Sequence, residues 1–188
     1  MSAIEIVAPL LGLVNVWLVV RRSVWNYPFG IAMVLLYARV FFEAKLYSDA
    51  LLQIFFLVVQ LYGWWNWVRS RSESGEVRVL RLGSGERLAW AGGCALAALA
   101  WGALMRFQTD ASYPWWDASV AIPSVAAQIL LSRRFIENWW LWILVDLLAV
   151  GLYAAKELWP TAGLYLVFLG LATWGLIAWR RAERAAAG

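Results

Sequence analysis

The stretch RRSVWNYPFG at residues 21–30 decides the fold, because RRFIENWWLW at residues 133–142 repeats its framework. A shift of 112 residues places 21–67 on 133–179 without a gap, and 13 of the 47 aligned positions are identical. Seven of these are Leu, Ile or Ala, which match by chance in so apolar a chain, so the other six carry the signal. These six are Arg21, Arg22, Asn26, Phe56, Gly63 and Trp67, which meet Arg133, Arg134, Asn138, Phe168, Gly175 and Trp179. The chain is therefore built from two related halves.

The composition predicts an integral membrane protein. Hydrophobic residues make up 63% of the 188 residues and charged residues only 15%, against about 45–50% apolar residues in soluble domains. The chain has no histidine and one cysteine, Cys94, which excludes His-containing triads, imidazole metal sites and a disulfide framework. No nucleophile–base pair, metal-ligand spacing or phosphate-binding glycine loop is visible. We therefore expect no enzyme, catalytic residue, cofactor or metal site.

Seven stretches have the length and apolar character of membrane-spanning helices. They cover residues 4–20, 25–42, 47–68, 88–105, 115–132, 138–155 and 161–179. Each half contributes three spans. Because three is an odd number, the two halves can have the same orientation in the membrane only if one extra span connects them. The fold class predicted is an all-α membrane protein in a 3+1+3 arrangement, with parallel halves. We expect a first repeat at 1–68, a polar linker with helix four at 69–106, and a second repeat at 107–188.

The arginine distribution predicts the orientation of these spans. With the N-terminus outside, the inner loops hold twelve arginines, from Arg21 to Arg184, and the outer loops hold only Lys45, Arg106 and Lys156. This asymmetry follows the positive-inside rule, and it places the C-terminus in the cytoplasm. The pI near 9.5 is therefore a property of topology, and it does not indicate a nucleic acid partner.

Asp146 is the sharpest candidate for a functional residue. It lies near the middle of the sixth span, where an ionised carboxylate costs about 2.5–3.5 kcal/mol. Trp139 and Trp142 share its helical face, and an acid beside indoles is a plausible site for an organic cation. The alternative is that Asp146 is protonated, or bonds to a neighbouring helix, and only holds the bundle together.

Gln53 in the third span and Gln128 in the fifth lie on polar helical stripes. Their amides can bind the edge of a polar ligand, or they can join helices at about 0.6 kcal/mol per bond. The fifteen tryptophans are mostly explained by aromatic belts at the two membrane interfaces. This interpretation covers Trp67, Trp139 and Trp179 at the inner boundary, whereas Trp142 and Trp174 lie deeper.

The chain resembles the PnuC family of bacterial vitamin transporters. The resemblance is carried, in order, by WNYPFG (25–30), LYSDALLQ (46–53), YGWWNW (62–67), WWDAS (115–119), AQILLSRR (127–134), ENWWLWILVD (137–146) and AKELWPTAGLYLVFL (155–169). It covers nearly the whole chain apart from the linker and the fourth span.

The resemblance implies facilitated diffusion of a vitamin across the inner membrane, most often nicotinamide riboside, which a cytoplasmic kinase then traps by phosphorylation. It also implies a fold similar to the SWEET sugar transporters, with the substrate between the halves. The family's substrate contacts would fall on Gln53, Gln128, Trp139, Trp142, Asp146 and Tyr165.

The residues themselves agree with this substrate type without selecting one vitamin. Nicotinamide riboside has a pyridinium charge, a carboxamide and hydroxyls, which suit the indoles, Asp146 and the two glutamines. Thiamine, also an aromatic cation, fits almost as well, and riboflavin is carried by other relatives. A membrane scaffold that binds partner proteins and transports nothing is the alternative from another class. A homo-oligomer is possible in either case.

Overall fold

The computed structural model describes residues 3–43, 47–109 and 113–187, and these residues form seven α-helices. The helices are α1 Ala3–Val20, α2 Asn26–Glu43, α3 Tyr47–Ser74, α4 Ser84–Gln108, α5 Pro114–Ser132, α6 Asn138–Ala155 and α7 Trp159–Ala187. Three of them, α4, α6 and α7, are long and apolar enough to span a membrane by the criteria of length and hydropathy. A shorter apolar stretch, Val7–Val20, lies in α1.

The helix bounds repeat along the whole length of both halves. Both bounds of α2 differ from those of α6 by 112 residues, which is the offset of the sequence repeat. The same shift carries α1 onto α5 and α3 onto α7 to within one residue at each end. The duplication therefore extends beyond the 47 residues that align in sequence and includes α1 and α5.

The six helices of the two halves close into a ring, and α4 lies outside it. Within the first half α1 packs on α2 and α2 on α3, and α5, α6 and α7 repeat this order. The halves meet where α1 packs against α7 and where α3 packs against α5, whereas α5 is the one described helix on which α4 packs. The predicted 3+1+3 arrangement is confirmed, and the repeat makes the two interfaces between the halves equivalent.

The segment between α3 and α4 is more ordered than a polar linker. The predicted third span ends at residue 68, whereas α3 continues to Ser74. Residues 75–83 then cross one end of the ring, with Val77 and Leu82 buried and Leu80 paired to Phe135 in an isolated β-bridge. We call residues 75–83 the strap. The division of the chain into parts at residues 68 and 106 stays a prediction.

The strap is attached to both halves. In the first half, Arg22 pairs with Glu76 at 3.1 Å and donates to the Val77 carbonyl at 2.9 Å. In the second half, the Leu80 N–H donates to the Arg134 carbonyl at 2.9 Å. The strap therefore ties together the α1–α2 and α5–α6 turns, which lie at the same end of the ring.

Candidate functional site

A cavity of about 560 Å³ lies inside the ring, and its walls come from all six ring helices. None of its described lining residues belongs to α4. The lining combines apolar side chains with asparagine, glutamine and tyrosine. Its volume is in the range of small-molecule sites, about 300–1,000 Å³.

All six residues proposed from the sequence line this cavity. They are Gln53, Gln128, Trp139, Trp142, Asp146 and Tyr165. Gln53 on α3 and Tyr165 on α7 occupy equivalent positions in the two halves, and Gln128 comes from α5. The structure thus brings these side chains to one cavity, and their roles in binding remain a prediction.

Asp146 is the one formally charged residue among the described residues that line the cavity. Its side chain is buried, at 4% exposure, and no salt bridge to it occurs within residues 3–43, 47–109 and 113–187. Burial of an ionised carboxylate without a neighbouring cation costs on the order of several kcal/mol. A cation bound beside Asp146 would therefore be stabilised more strongly by this carboxylate than by a carboxylate in water.

Three tyrosines form an aromatic group on the cavity wall. Tyr153 stacks on Tyr165, with ring centroids 5.2 Å apart, and Tyr165 meets Phe168 edge-on at 5.9 Å. Tyr37 from α2 lines the same cavity. Tyr37 and Phe168 were not predicted to line the cavity, although Phe168 is one of the six positions that carry the sequence repeat.

One end of the cavity is sealed by an aromatic cluster, and this corrects the belt interpretation of three tryptophans. Trp67, Trp139 and Trp179 are buried, at 0–1% exposure, as is Tyr27. Belt residues face lipid, whereas these four pack on one another in the interior. Trp174, by contrast, is 46% exposed and lies on the outer surface of the ring. We call Tyr27, Trp67, Trp139 and Trp179 the aromatic seal.

The ring contacts of the aromatic seal recur at equivalent positions of the two halves. Tyr27 meets Trp67 edge-on at 5.4 Å, and the equivalent pair, Trp139 and Trp179, meets edge-on at 5.6 Å. Two glycines permit these contacts. A Cβ on Gly63 would lie 2.5 Å from the Tyr27 hydroxyl, and one on Gly175 would lie 2.5 Å from the Trp139 ring. Both glycines were identical positions in the sequence repeat, and close packing explains them.

Trp139 belongs to both the seal and the cavity. Its ring packs against Gly175 on one side, and the residue lines the cavity. Its indole N–H has no hydrogen-bond partner among the described residues. A buried indole N–H of this kind usually finds an acceptor, so a ligand that reaches the closed end of the cavity meets a free donor.

The cavity also includes amides that were not predicted as site residues from the sequence. Asn15, Asn26 and Gln60 line it, and Asn15 donates its side-chain N–H to the Asn26 carbonyl at 2.7 Å. Gln60 is buried, at 5% exposure. A signal existed, because Asn15 interrupts an apolar span and Gln60 follows Gln53 at helical spacing.

A ring of six membrane helices around a polar, aromatic cavity, with one end sealed, defines a membrane transporter. The chain belongs to the nicotinamide mononucleotide transporter family, whose model matches residues 2–181. It is a transporter and not an enzyme, as the sequence predicted.

Curated relatives support this assignment over almost the entire chain. The chain is 28% identical to the nicotinamide riboside transporter PnuC of Escherichia coli, over 98% of this chain and 87% of that protein. It is 31% identical to the riboflavin/roseoflavin transporter RibM of Streptomyces davaonensis, over 93% of this chain and 83% of that protein.

A solved structure extends the likeness to three dimensions. The crystal structure of the vitamin B3 transporter PnuC matches with a TM-score of 0.77 and 26% identity, covering 95% of this chain and 81% of that one. The resemblance to the PnuC family noted in the sequence is thereby confirmed.

Proposed function

We propose that this protein carries nicotinamide riboside across the bacterial inner membrane into the cytoplasm by facilitated diffusion, and that a cytoplasmic kinase traps it by phosphorylation. The observation that carries the proposal is Asp146, a buried acid that is the one charged residue among the described residues of a cavity lined with aromatic rings. A pyridinium cation stacked among indole and phenol rings complements both features.

The same observation separates the nucleoside from its phosphorylated form. No arginine or lysine occurs among the described residues that line the cavity. A phosphate group would enter a low-dielectric site that already holds a carboxylate, without a cation to offset the repulsion. The charge distribution therefore favours nicotinamide riboside over the mononucleotide in the family's description.

Alternating access would use the two halves as rocking units around the cavity. In the orientation predicted by the arginines, with the N-terminus outside, the aromatic seal faces the cytoplasm. Release of the vitamin then requires the α1–α7 and α3–α5 interfaces to part at the seal. The structure corresponds in this account to a state closed toward the cytoplasm.

Transport in liposomes tests the proposal directly. We expect purified protein to equilibrate labelled nicotinamide riboside without accumulating it, and we expect a pH gradient to leave the final level unchanged. Accumulation driven by the gradient would contradict facilitated diffusion. Asp146→Asn keeps the shape of the side chain and removes its charge, and we expect it to weaken binding by roughly tenfold or more.

Riboflavin is the second candidate, because the relative RibM is 31% identical to this chain. Its isoalloxazine is neutral, so Asp146 gives it no charge complement. A thermal-shift comparison of nicotinamide riboside, its mononucleotide, thiamine and riboflavin separates the candidates. Stabilisation by riboflavin alone would overturn the cation argument, and equal stabilisation by thiamine would widen the substrate class to aromatic cations. Folded protein that binds none of them would favour the scaffold.

A further inference from the structure

The cavity is asymmetric at the positions where the two halves should match. Trp142 and Gly30 are equivalent under the 112-residue shift, and so are Asp146 and Val34. The second half therefore contributes an indole and an acid to the cavity, whereas the first half has a glycine and a buried valine in their places. Equivalent positions thus form the aromatic seal in both halves, whereas the residues of the cavity walls differ between the halves.

The space left by Gly30 is filled with amides. A Cβ on Gly30 would lie 2.1 Å from the Gln60 side-chain oxygen and 2.8 Å from the Asn15 side-chain nitrogen. Both amides thus lie directly against the Gly30 backbone. In the second half, the equivalents of Asn15 and Gln60 are Ala127 and Ala172, at 0% and 2% exposure. One half combines a large indole with two alanines, and the other combines a glycine with two large amides.

The amides are held in place rather than free on a surface. Asn15 donates one N–H to the Asn26 carbonyl at 2.7 Å, which leaves its second N–H and its side-chain oxygen for other partners. Gln60 is 5% exposed and its amide is confined by Gly30. Both side chains line the cavity that also contains Trp142 and Asp146.

We propose that Asn15 and Gln60, seated on Gly30, form a subsite for the hydroxyl groups of a sugar. This inference rests on the proposed function and extends it, because it fixes which way the substrate lies. The aromatic cation lies toward Trp142 and Asp146 of the second half, and the ribose lies toward the first half. Amides suit this role because each offers donors and an acceptor to hydroxyls that are themselves donors and acceptors.

The experiment compares two ligands that share the pyridinium and carboxamide but differ in the sugar. Nicotinamide riboside carries the ribose, and 1-methylnicotinamide has a methyl group instead. We expect the wild-type protein to bind the riboside more tightly. Gln60→Met, which replaces the amide with an apolar chain of similar length, should weaken riboside binding roughly 3- to 10-fold. It should leave 1-methylnicotinamide binding unchanged.

Gly30→Ala supplies a second variant, since its methyl group displaces the Gln60 amide without removing it. It should lower the preference for the riboside in the same direction. Gly163→Ala is the matched control, because a Cβ there meets no atom within 4 Å. Melting temperatures of all variants establish that they fold.

Each outcome separates this inference from the proposed function. Equal loss of both ligands in Gln60→Met, or equal binding of both ligands by the wild type, would overturn the sugar subsite and leave the transporter proposal intact. Failure of the wild type to bind either ligand would overturn the proposed function itself, and the subsite with it.

Discussion

Trp67 and Trp179 make the same hydrogen bond in opposite directions across the ring. Trp67 donates its indole N–H to the Leu131 carbonyl at 3.1 Å, and Trp179 donates to the Val19 carbonyl at 3.1 Å. The two donors are 112 residues apart in sequence, and so are the two acceptors. The two indole rings are in contact, with centroids 5.8 Å apart. The α3–α5 and α7–α1 interfaces are thus closed by two equivalent latches at the seal, and opening that end requires both to break.

Loss of either latch should have the same moderate effect on stability. Trp67→Phe and Trp179→Phe keep an aromatic ring and remove the N–H. The Leu131 and Val19 carbonyls each still accept a backbone N–H, from Arg134 and Arg22 at 2.9 Å. Neither acceptor is therefore left without a partner, so the lost hydrogen bond accounts for about 0.5–1.5 kcal/mol in each variant. The smaller ring also leaves a cavity at a fully buried site, which adds to this loss; thermal unfolding in detergent measures the total.

Equality of the two variants is the sharper part of this prediction. Trp174→Phe is the control, because that tryptophan is on the exposed surface of α7, and it should leave the melting temperature unchanged. A large loss for one latch and none for the other would contradict the equivalence of the two interfaces.

Gly63 and Gly175 should tolerate no side chain. A methyl group at Gly63 would lie 2.5 Å from the Tyr27 hydroxyl, and one at Gly175 would lie 2.5 Å from the Trp139 ring. We expect Gly63→Ala and Gly175→Ala to destabilise the protein by about 1–3 kcal/mol through overpacking. Gly175→Ala should also weaken ligand binding, because Trp139 lines the cavity.

Gly170→Ala is the matched control for both glycine variants. It lies in the same helix as Gly175, and a Cβ there meets no atom within 4 Å. Alanine favours helix over glycine by up to about 1 kcal/mol, so this variant should be neutral or stabilising. Equal behaviour of Gly170→Ala and Gly175→Ala would refute the packing argument.

The sequence predicted the architecture and the polar wall, because both depend on periodicity. The 112-residue repeat predicted paired triplets of helices, and helical spacing placed Trp142 on one face with Asp146. The depth of a residue within a span can be predicted from the sequence, but the direction in which its side chain points cannot. Trp67 and Trp179 lie at the depth of an aromatic belt, and only the neighbouring helices show that they face inward.

The strap was missed for a different reason. Its net composition is polar, which indicates a free linker, and VRVLRL at residues 77–82 does not alternate strictly, because the apolar Val79 and Leu80 are adjacent. The buried residues Val77 and Leu82 are five positions apart, so the alternation typical of a strand with one buried face does not predict them. Pairing with the α5–α6 turn also depends on a contact between residues far apart in sequence.

Removal of one backbone donor from the strap should weaken its attachment to the second half. The Leu80 N–H donates to the Arg134 carbonyl at 2.9 Å, and the Ile136 N–H donates back to the Leu80 carbonyl at 2.9 Å. Leu80→Pro deletes the first donor, whereas Leu80→Ala retains it. We expect trypsin to cut after Arg78 and Arg81 faster in the proline variant, with the alanine variant close to wild type. Equal cleavage in both variants would show that the β-bridge does not hold the strap.

The ion pair between Arg81 and Glu183 joins the strap to α7, and it predicts a pH dependence. The hydrogen bond from the Arg81 guanidinium lowers the pKa of Glu183 from its ordinary value of 4.5. A carboxyl whose pKa is lower in the folded protein contributes stability above its unfolded pKa, and the contribution disappears as the pH falls through the folded value. Glu183→Gln should therefore lower the melting temperature at about pH 7, and the difference from wild type should shrink toward about pH 3.

Arg39→Gln is the matched control for this prediction, because Arg39 pairs with Glu43 within a single helix at 2.8 Å. That exposed pair joins no two elements, and solvent-exposed pairs of its kind contribute little to stability. The pair between Arg81 and Glu183, by contrast, also holds the strap against α7. Loss of this pair at neutral pH should therefore speed tryptic cleavage after Arg81. A pH-independent difference between Glu183→Gln and wild type would show that the charge of Glu183 does not hold the strap on α7.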